Sequence, residues 1–460
     1  MEQKTILETN LSEKQGSLLY AYAISIIAAV GGFLFGFDTA VIAGAIPFME
    51  KYFSLNAAQL GFAVSSALLG CIFGTIFAGS LADKFGRKKI MMAAASLFLI
   101  SAILTALPKT LLIFNIARFI GGIAIGLSSP VSPMYIAELA PARIRGALVT
   151  LNQLAITFGI LASYLCDWFI AGRGNEQWNI DFGWRWMFAS ESIPAALLLI
   201  GLFFIPESPR WLLKAGFIEK AKRILVRIDG ELHAKTEMEK IEGSLLKEEA
   251  SIRQLLKPGF RLAVFIGIML MFFSQVTGMN AIYMYTSKLL LEVGLKSDSA
   301  MAGMVMIGMV NFLTTILAVY SIDKLGRKFL LTIAPLGMGI SMLAITLGYG
   351  SQWMPPFAIL IAILFFVFFF ALGVGPGVWL VTSEIYPTKV RGRAMSICTF
   401  SLWISCFSAN LVFPRFMQWS QTGTFALFTL ACFLMIVFVL KFVPETKGKT
   451  LEEIEEIWER

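Results

Sequence analysis

Charged side chains inside long apolar runs are the first chemistry this sequence offers. Asp38 closes the run Gly31-Gly32-Phe33-Leu34-Phe35-Gly36-Phe37, Arg118 opens Arg118-Phe119-Ile120-Gly121-Gly122, and Glu191 lies in Ala189-Ser190-Glu191-Ser192-Ile193-Pro194. A charge at the centre of a lipid-embedded helix costs roughly 2.5–3.5 kcal/mol on insertion scales, so each needs a partner or a task. An Asp38–Arg118 ion pair could simply lock two helices. It could also carry a proton: the protonated acid would release Arg118 and the carboxylate would recapture it, so protonation would follow conformation. Glu191 is the reserve carboxylate for that role. The single histidine, His233, falls in a polar stretch, where a solvated surface role is expected.

A second group consists of amides and indoles in apolar surroundings: Gln153, Gln275, Asn280, Asn311, Trp379 and Trp403. Side-chain amides donate and accept at once and so match hydroxyl groups, while flat aromatic faces match C–H surfaces. Such a set suits a polyhydroxylated solute, although any one amide could equally bond a neighbouring helix. The stretch Gly373-x-Gly375-x-Gly377 has no preceding strand to make it a nucleotide loop. With Pro376 it reads instead as a helix break beside a cavity, which puts Gly375 among the candidate binding positions. No HExxH, paired catalytic carboxylates or nucleophile–base set is present, so an enzyme is not expected, and neither is a metal or cofactor.

The elements that position these residues must be membrane helices. Of 460 residues, 57% are hydrophobic and 15% charged, against about 25% charged in a soluble domain. Uncharged runs near twenty residues recur, among them Ala21–Phe37, Ile90–Leu107, Val305–Ile322, Leu330–Gly348, Phe357–Trp379 and Phe425–Leu440. Each can cross a hydrocarbon core roughly 30 Å thick as a helix, the form that satisfies every backbone group within one segment. The five cysteines (Cys71, Cys166, Cys398, Cys406, Cys432) lie in or beside such runs and read as small apolar residues. The first sixteen residues are polar and mixed in charge, so no cleavable signal is expected.

The net charge of +8 is spread in a pattern that argues against nucleic acid. Basic residues crowd alternate loops: Lys84, Arg87, Lys88 and Lys89; Arg143 and Arg145; residues 210–261; Lys324, Arg327 and Lys328; Lys389, Arg391 and Arg393; Lys447 and Lys449. Under the positive-inside rule those loops and both termini are cytoplasmic, and the helix count is even. The longest polar stretch divides the chain into a six-helix half (1–205), a linker with amphipathic helices (206–258), a second half (259–443) and a tail (444–460). The halves repeat each other. Asp83-Lys84-Phe85-Gly86-Arg87-Lys88 recurs as Asp323-Lys324-Leu325-Gly326-Arg327-Lys328, and Glu138-x2-Pro141-x3-Arg145-Gly146 as Glu384-x2-Pro387-x3-Arg391-Gly392. Pro206-Glu207-Ser208 recurs as Pro444-Glu445-Thr446. Asp83 and Asp323 are 240 residues apart, Glu138 and Glu384 246, and Glu207 and Glu445 238. Three matches at nearly one offset imply a duplication, hence a solute site between two halves that rock about it. Val319 stands where Gly79 stands in the first copy.

From Gly31–Ile42, through Pro206-Glu207-Ser208-Pro209-Arg210-Trp211-Leu212, to Pro444–Leu451, the chain resembles the sugar porter family of the major facilitator superfamily, and within it the bacterial sugar/proton symporters. The resemblance implies an all-α membrane fold of twelve transmembrane helices in two six-helix halves, and secondary transport of a monosaccharide with protons by alternating access. It implies Asp38 as proton carrier with Arg118, since facilitative members usually hold Asn at that position. Gln153, Gln275, Asn280, Asn311, Trp379 and Trp403 match sugar-contacting positions, and Phe35 matches a pocket aromatic. The charged repeats (Asp83, Arg87, Glu138, Arg145, Glu207 and Asp323, Arg327, Glu384, Arg391, Glu445) would latch the cytoplasmic side when the cavity faces out. Departures soften the pocket: Ser274-Gln275 replaces a glutamine pair, Met284 a tyrosine, and Ile160 and Leu402 glutamines, so the particular sugar does not carry over. A proton-independent facilitator of sugar or polyol such as inositol, and a membrane sugar sensor, are the rival expectations. A monomer in the cell (inner) membrane, contacting lipid and no nucleic acid, completes the reading.

Overall fold

The computed structural model describes residues 17–141, 143–245, 258–351, 355–386, 390–447 and 453. Among these residues twelve helices are long and apolar enough to cross a membrane. The first five are α1 (Leu18–Phe53), α2 (Ala57–Phe85), α3 (Arg87–Ala106), α4 (Leu111–Leu139) and α5 (Arg145–Ala171). The sixth span, α6 (Glu176–Phe204), contains a π-turn at Asn179–Gly183 and an interruption at Glu191. Three short helices come next: α7 (Pro209–Lys214), α8 (Ile218–Asp229) and α9 (Glu231–Leu245). The seventh span is broken into α10 (Pro258–Val276) and α11 (Met279–Glu292), then come α12 (Ser297–Leu325), α13 (Arg327–Ser351), α14 (Pro356–Glu384), α15 (Arg391–Trp419) and α16 (Gln421–Phe442).

Local chemistry sets the helix ends. Ser17 caps α1 by accepting from Tyr20 N. Asn56 and Gln59 form a reciprocal box at the start of α2, at 3.0 and 2.9 Å, which satisfies two otherwise orphaned backbone donors. Thr110 and Ser420 cap α4 and α16 in the same way as Ser17. Within α14 the π-turn Phe370–Val374 precedes Gly375-Pro376, because proline lacks the N–H that a regular turn needs.

Small residues let the helices approach closely. A Cβ at Gly70 or Gly122 would lie 2.1 Å from Phe119 O or 1.8 Å from Ala67 O, so α2 and α4 touch backbone to backbone. The halves meet along α2 with α15, α5 with α12, and α1 with α11. Side chains such as Leu19, Ile26, Phe77, Leu197, Phe203 and Phe204 are exposed around the bundle, as a lipid-facing belt requires. The end bearing the linker helices is called proximal below, and the opposite end distal.

Candidate functional site

Asp38, Arg118 and Glu191 come together although they lie on three different helices. All three are buried, at 0%, 1% and 1% exposure. Arg118 Nη1 donates to Asp38 Oδ1, and Nη2 donates to the Asp38 backbone carbonyl at 3.1 Å. The Phe188 ring lies beneath the guanidinium at 5.4 Å. Glu191 sits at the interruption in α6, and its carboxyl is close enough to interact with both Asp38 and Arg118. Asp38 Oδ2 and Glu191 Oε1 accept no hydrogen bond while both acids are ionised. Two carboxylates against one guanidinium leave one negative charge in a dry site, and one proton on either acid brings the cluster to neutrality. Removing ions from water costs several kcal/mol each, so an odd charge here is expensive unless conformation and protonation change together.

The amides form a looser set. Asn280 Nδ2 donates to Gln275 Oε1 across the break in the seventh span, where Gly278 has φ +94°. Gln275 Nε2 in turn donates to Ser274 Oγ at 2.9 Å. Phe35 and Trp403 meet across the two halves, with ring centroids 5.7 Å apart. Asn311 Nδ2 and Trp403 Nε1 are buried without a hydrogen-bond partner. Gln153 and Gly375 are half-buried and Trp379 is 41% exposed. Among the described residues, no recorded side-chain bond joins Gln153, Asn311 or Trp379 to the Gln275–Asn280 pair. A cavity of about 400 Å³ lies elsewhere, near the distal end, lined by Tyr285, Lys288, Glu292, Met417, Trp419 and Gln421.

At the proximal end the duplicated motifs make duplicated bonds. Arg87 grips Glu138 at 2.9–3.2 Å, and Ser208 donates to the same carboxylate. In the second half Arg327 Nη2 donates to Glu384 at 3.2 Å, and Thr446 donates to its other oxygen. Glu207 accepts from Lys88 N at 3.0 Å, and Glu445 from Arg327 N and Lys328 N at 3.1 Å, so each caps the helix that succeeds a Gly turn. Gly86 and Gly326 hold φ of 99° and 96° there, and a Cβ on Gly86 would lie 2.2 Å from Glu207 Oε2. Burial pushes the Glu445 carboxyl up, but the N–H groups of Lys447, Lys328, Arg327 and Thr446 outweigh it and hold it below the ordinary value. Asp83 pairs with Arg87 at 3.1 Å. The side chain of Asp323 lies outside the described residues. The pairs of Glu138 and Glu384 stay within their own halves, while Arg145 donates to Glu237 of α9 at 2.9 Å and Arg391 to Tyr386 O at 3.4 Å.

At the distal end, by contrast, bonds cross between the halves. Tyr164 Oη donates to Tyr283 O at 2.8 Å, Ser287 Oγ to Ala43 O, and Lys288 Nζ to Glu50 at 2.7 and 2.8 Å. That end is closed. Beside these bonds lies a carboxyl that the sequence does not single out: Asp167, on α5, is 0% exposed and neither oxygen has a side-chain partner, the Gly44 backbone N–H being the one donor beside it. The available signal is an acid within Tyr164-Leu165-Cys166-Asp167-Trp168-Phe169. Nearness to the loop that holds Arg173 makes it look like a helix-end charge.

A family model described as "Sugar (and other) transporter" matches residues 24–458. The chain is 40% identical over 457 residues to the arabinose-proton symporter of Bacillus subtilis (strain 168), covering 99% of this chain and 98% of that protein. It is 40% identical over 473 residues to the D-xylose-proton symporter of Escherichia coli (strain K12), covering 96% of each. The inward open conformation of the xylose transporter XylE from E. coli superposes with a TM-score of 0.85 at 38% identity, covering 95% of this chain and 100% of that one. The same symporter bound to 6-bromo-6-deoxy-D-glucose superposes less well, at 0.79, covering 95% and 99%. Twelve spans in a duplicated bundle, matched end to end at this identity, leave one assignment: the chain belongs to the family of sugar (and other) transporters.

Proposed function

We propose that this protein is a monosaccharide/proton symporter that works by alternating access in the cell (inner) membrane, with both termini cytoplasmic. The observation that carries the reading is the buried Asp38–Arg118–Glu191 cluster, two acids sharing one cation far from water. A facilitator has no use for an odd acid that costs several kcal/mol to keep dry, whereas a proton carrier requires one. The names of the arabinose and xylose relatives support the same coupling.

Asp38 binds the transported proton in this reading, Arg118 recaptures the bare carboxylate, and Glu191 shares the proton across the pair. Gln153, Gln275, Asn280, Asn311, Gly375 and Trp379, with the Phe35–Trp403 contact, hold the sugar between the halves. With the termini inside, the closed distal end is the external one, so the structure is inward-facing, in keeping with its closer likeness to the inward-open relative. In the outward-facing state Arg145, Glu384, Arg391 and Glu138 exchange their present partners for ones across the cytoplasmic cleft. The protein acts as a monomer in lipid and does not bind nucleic acid.

The test is uptake into proteoliposomes with a panel of labelled pentoses, hexoses and inositol, with and without an inward proton gradient. Accumulation of one sugar only with the gradient is the expected result. Equilibration without accumulation would make the protein a facilitator.

A further inference from the structure

We propose that Asp167 is a second proton-binding site, seated in the external seal between the halves, and that the seal closes only when this carboxyl holds a proton. The proposal rests on the alternating-access reading and on the distal end being external, and not on Asp38 carrying the transported proton.

Asp167 is wedged into the seal. A Cβ on Gly44 would lie 2.5 Å from both Asp167 Cβ and Oδ2, so the carboxyl seats against α1 only because residue 44 is glycine. One neighbour of Gly44 is Ala43, whose carbonyl accepts from Ser287 of the other half. One turn before Asp167 is Tyr164, whose hydroxyl reaches Tyr283 of the other half at 2.8 Å. The carboxyl therefore lies within a turn of two bonds that must break when the external side opens. Breaking them brings water to a group that has no side-chain partner while the seal is shut.

No cation in the surroundings is placed to compensate a bare carboxylate, among the described residues. On α5 itself the titratable neighbours are Tyr164 and Cys166, and Arg173 beyond its end stacks on Phe169 at 4.0 Å. On α1, Asp38 and Glu50 lie six residues either side of Gly44, and are taken by Arg118 and Lys288. Lys51, at the end of α1, pairs with Glu176. From α11 come Tyr283, Tyr285 and Lys288, and from α6 Arg185, which donates to Asp181 O and Ala106 O, and Glu191 in the central cluster. On α12 Asp298 and Lys324 stand at opposite ends. An ionised Asp167 would have only the Gly44 backbone N–H to stabilise it in an apolar wedge, whereas the neutral acid removes the charge that makes burial expensive. Opening hydrates the group and lets the proton leave; closure takes one up. The coupling is reciprocal, so external acidity closes the seal.

The test uses the full-length protein in nanodiscs, with spin labels on cysteines at the exposed external positions 109 and 421 in a Cys166→Ser background. The inter-label distance reports the open-to-closed ratio. If one proton is taken up on closure, that ratio falls by up to about tenfold per unit drop in pH. Asp167→Asn, which keeps the shape of the neutral acid, is expected to hold the seal closed and to flatten that slope by one proton. Should Asp167→Asn not fold, Asp167→Ser removes the carboxyl with less bulk and is expected to flatten the slope by the same amount. A parent ratio insensitive to pH, or a slope unchanged in both Asp167 variants, would each overturn the proposal. A parent with the slope but no proton-driven sugar accumulation would leave Asp167 in place and sink the symport reading alone.

Discussion

Replacing Asp38 by asparagine tests its proposed role as proton carrier apart from the rest of the machine. In the parent the ionised cluster carries one negative charge, and one proton neutralises it. In Asp38→Asn the cluster of amide, Arg118 and Glu191 is neutral without that proton, so the variant mimics the loaded state permanently. Removing one partner of a buried pair ordinarily costs about 3–5 kcal/mol because the other charge is stranded. Here Glu191 stays close enough to Arg118 to balance it, so the variant should fold. The lost function can be sized. A proton crossing about 100 mV and about one pH unit releases roughly 2.3 plus 1.4 kcal/mol, enough to hold a sugar gradient of roughly 500-fold at one proton per sugar. The parent in energised proteoliposomes should approach that ceiling, and Asp38→Asn should stop at a ratio near one while retaining sugar-for-sugar exchange. Sugar-induced alkalinisation of the outer medium should vanish with it. Accumulation or alkalinisation that persists in Asp38→Asn would refute the reasoning, and Glu191 would become the carrier to test.

Other parts of the molecule give further expected outcomes. Gln275→Ala and Asn280→Ala should each weaken sugar binding about tenfold or more, since a lost partner leaves a buried hydroxyl unpaired at roughly 1–3 kcal/mol; titration calorimetry on the purified variants reads this directly. Lys288→Met should strand Glu50 and loosen the distal seal, raising labelling of a cysteine placed in that end; equal labelling in parent and variant would remove the pair from the seal. Glu445→Gln should lower the melting temperature at neutral pH. Because the folded carboxyl is held below its ordinary 4.5, its contribution is complete above that pH and lost as pH falls through the folded value, so parent and variant should converge in acid.

Much of the architecture could be read along the chain, because in lipid every backbone group must be satisfied within its own helix and length with composition then suffices. The repeat was equally readable, since its polar signatures stand at helix ends where few residue types cap and pair. Glu207 and Glu445 make the same bonds 238 residues apart, to Lys88 N in one half and to Lys328 N and its neighbour in the other. Asp38, Arg118 and Glu191 stood out because charge is rare inside apolar runs. Asp167 did not, because a carboxylate four residues from a helix end looks the same in sequence whether water reaches it or not.

The residues alone determined only those properties that depend on one segment and its solvent: twelve spans, their polarity, the duplication, and which side chains are too polar for their surroundings. Which of those side chains meet was decided only by the packing of helices distant in sequence. Asp38 finds Arg118 eighty residues away. Phe35 meets Trp403, and Asp167 packs against Gly44 beside the bond that joins α11 to α1. The closed end was likewise invisible in the chain. The same sequence must serve two packings that differ by little free energy, so only the three-dimensional arrangement records which bonds between the halves are made.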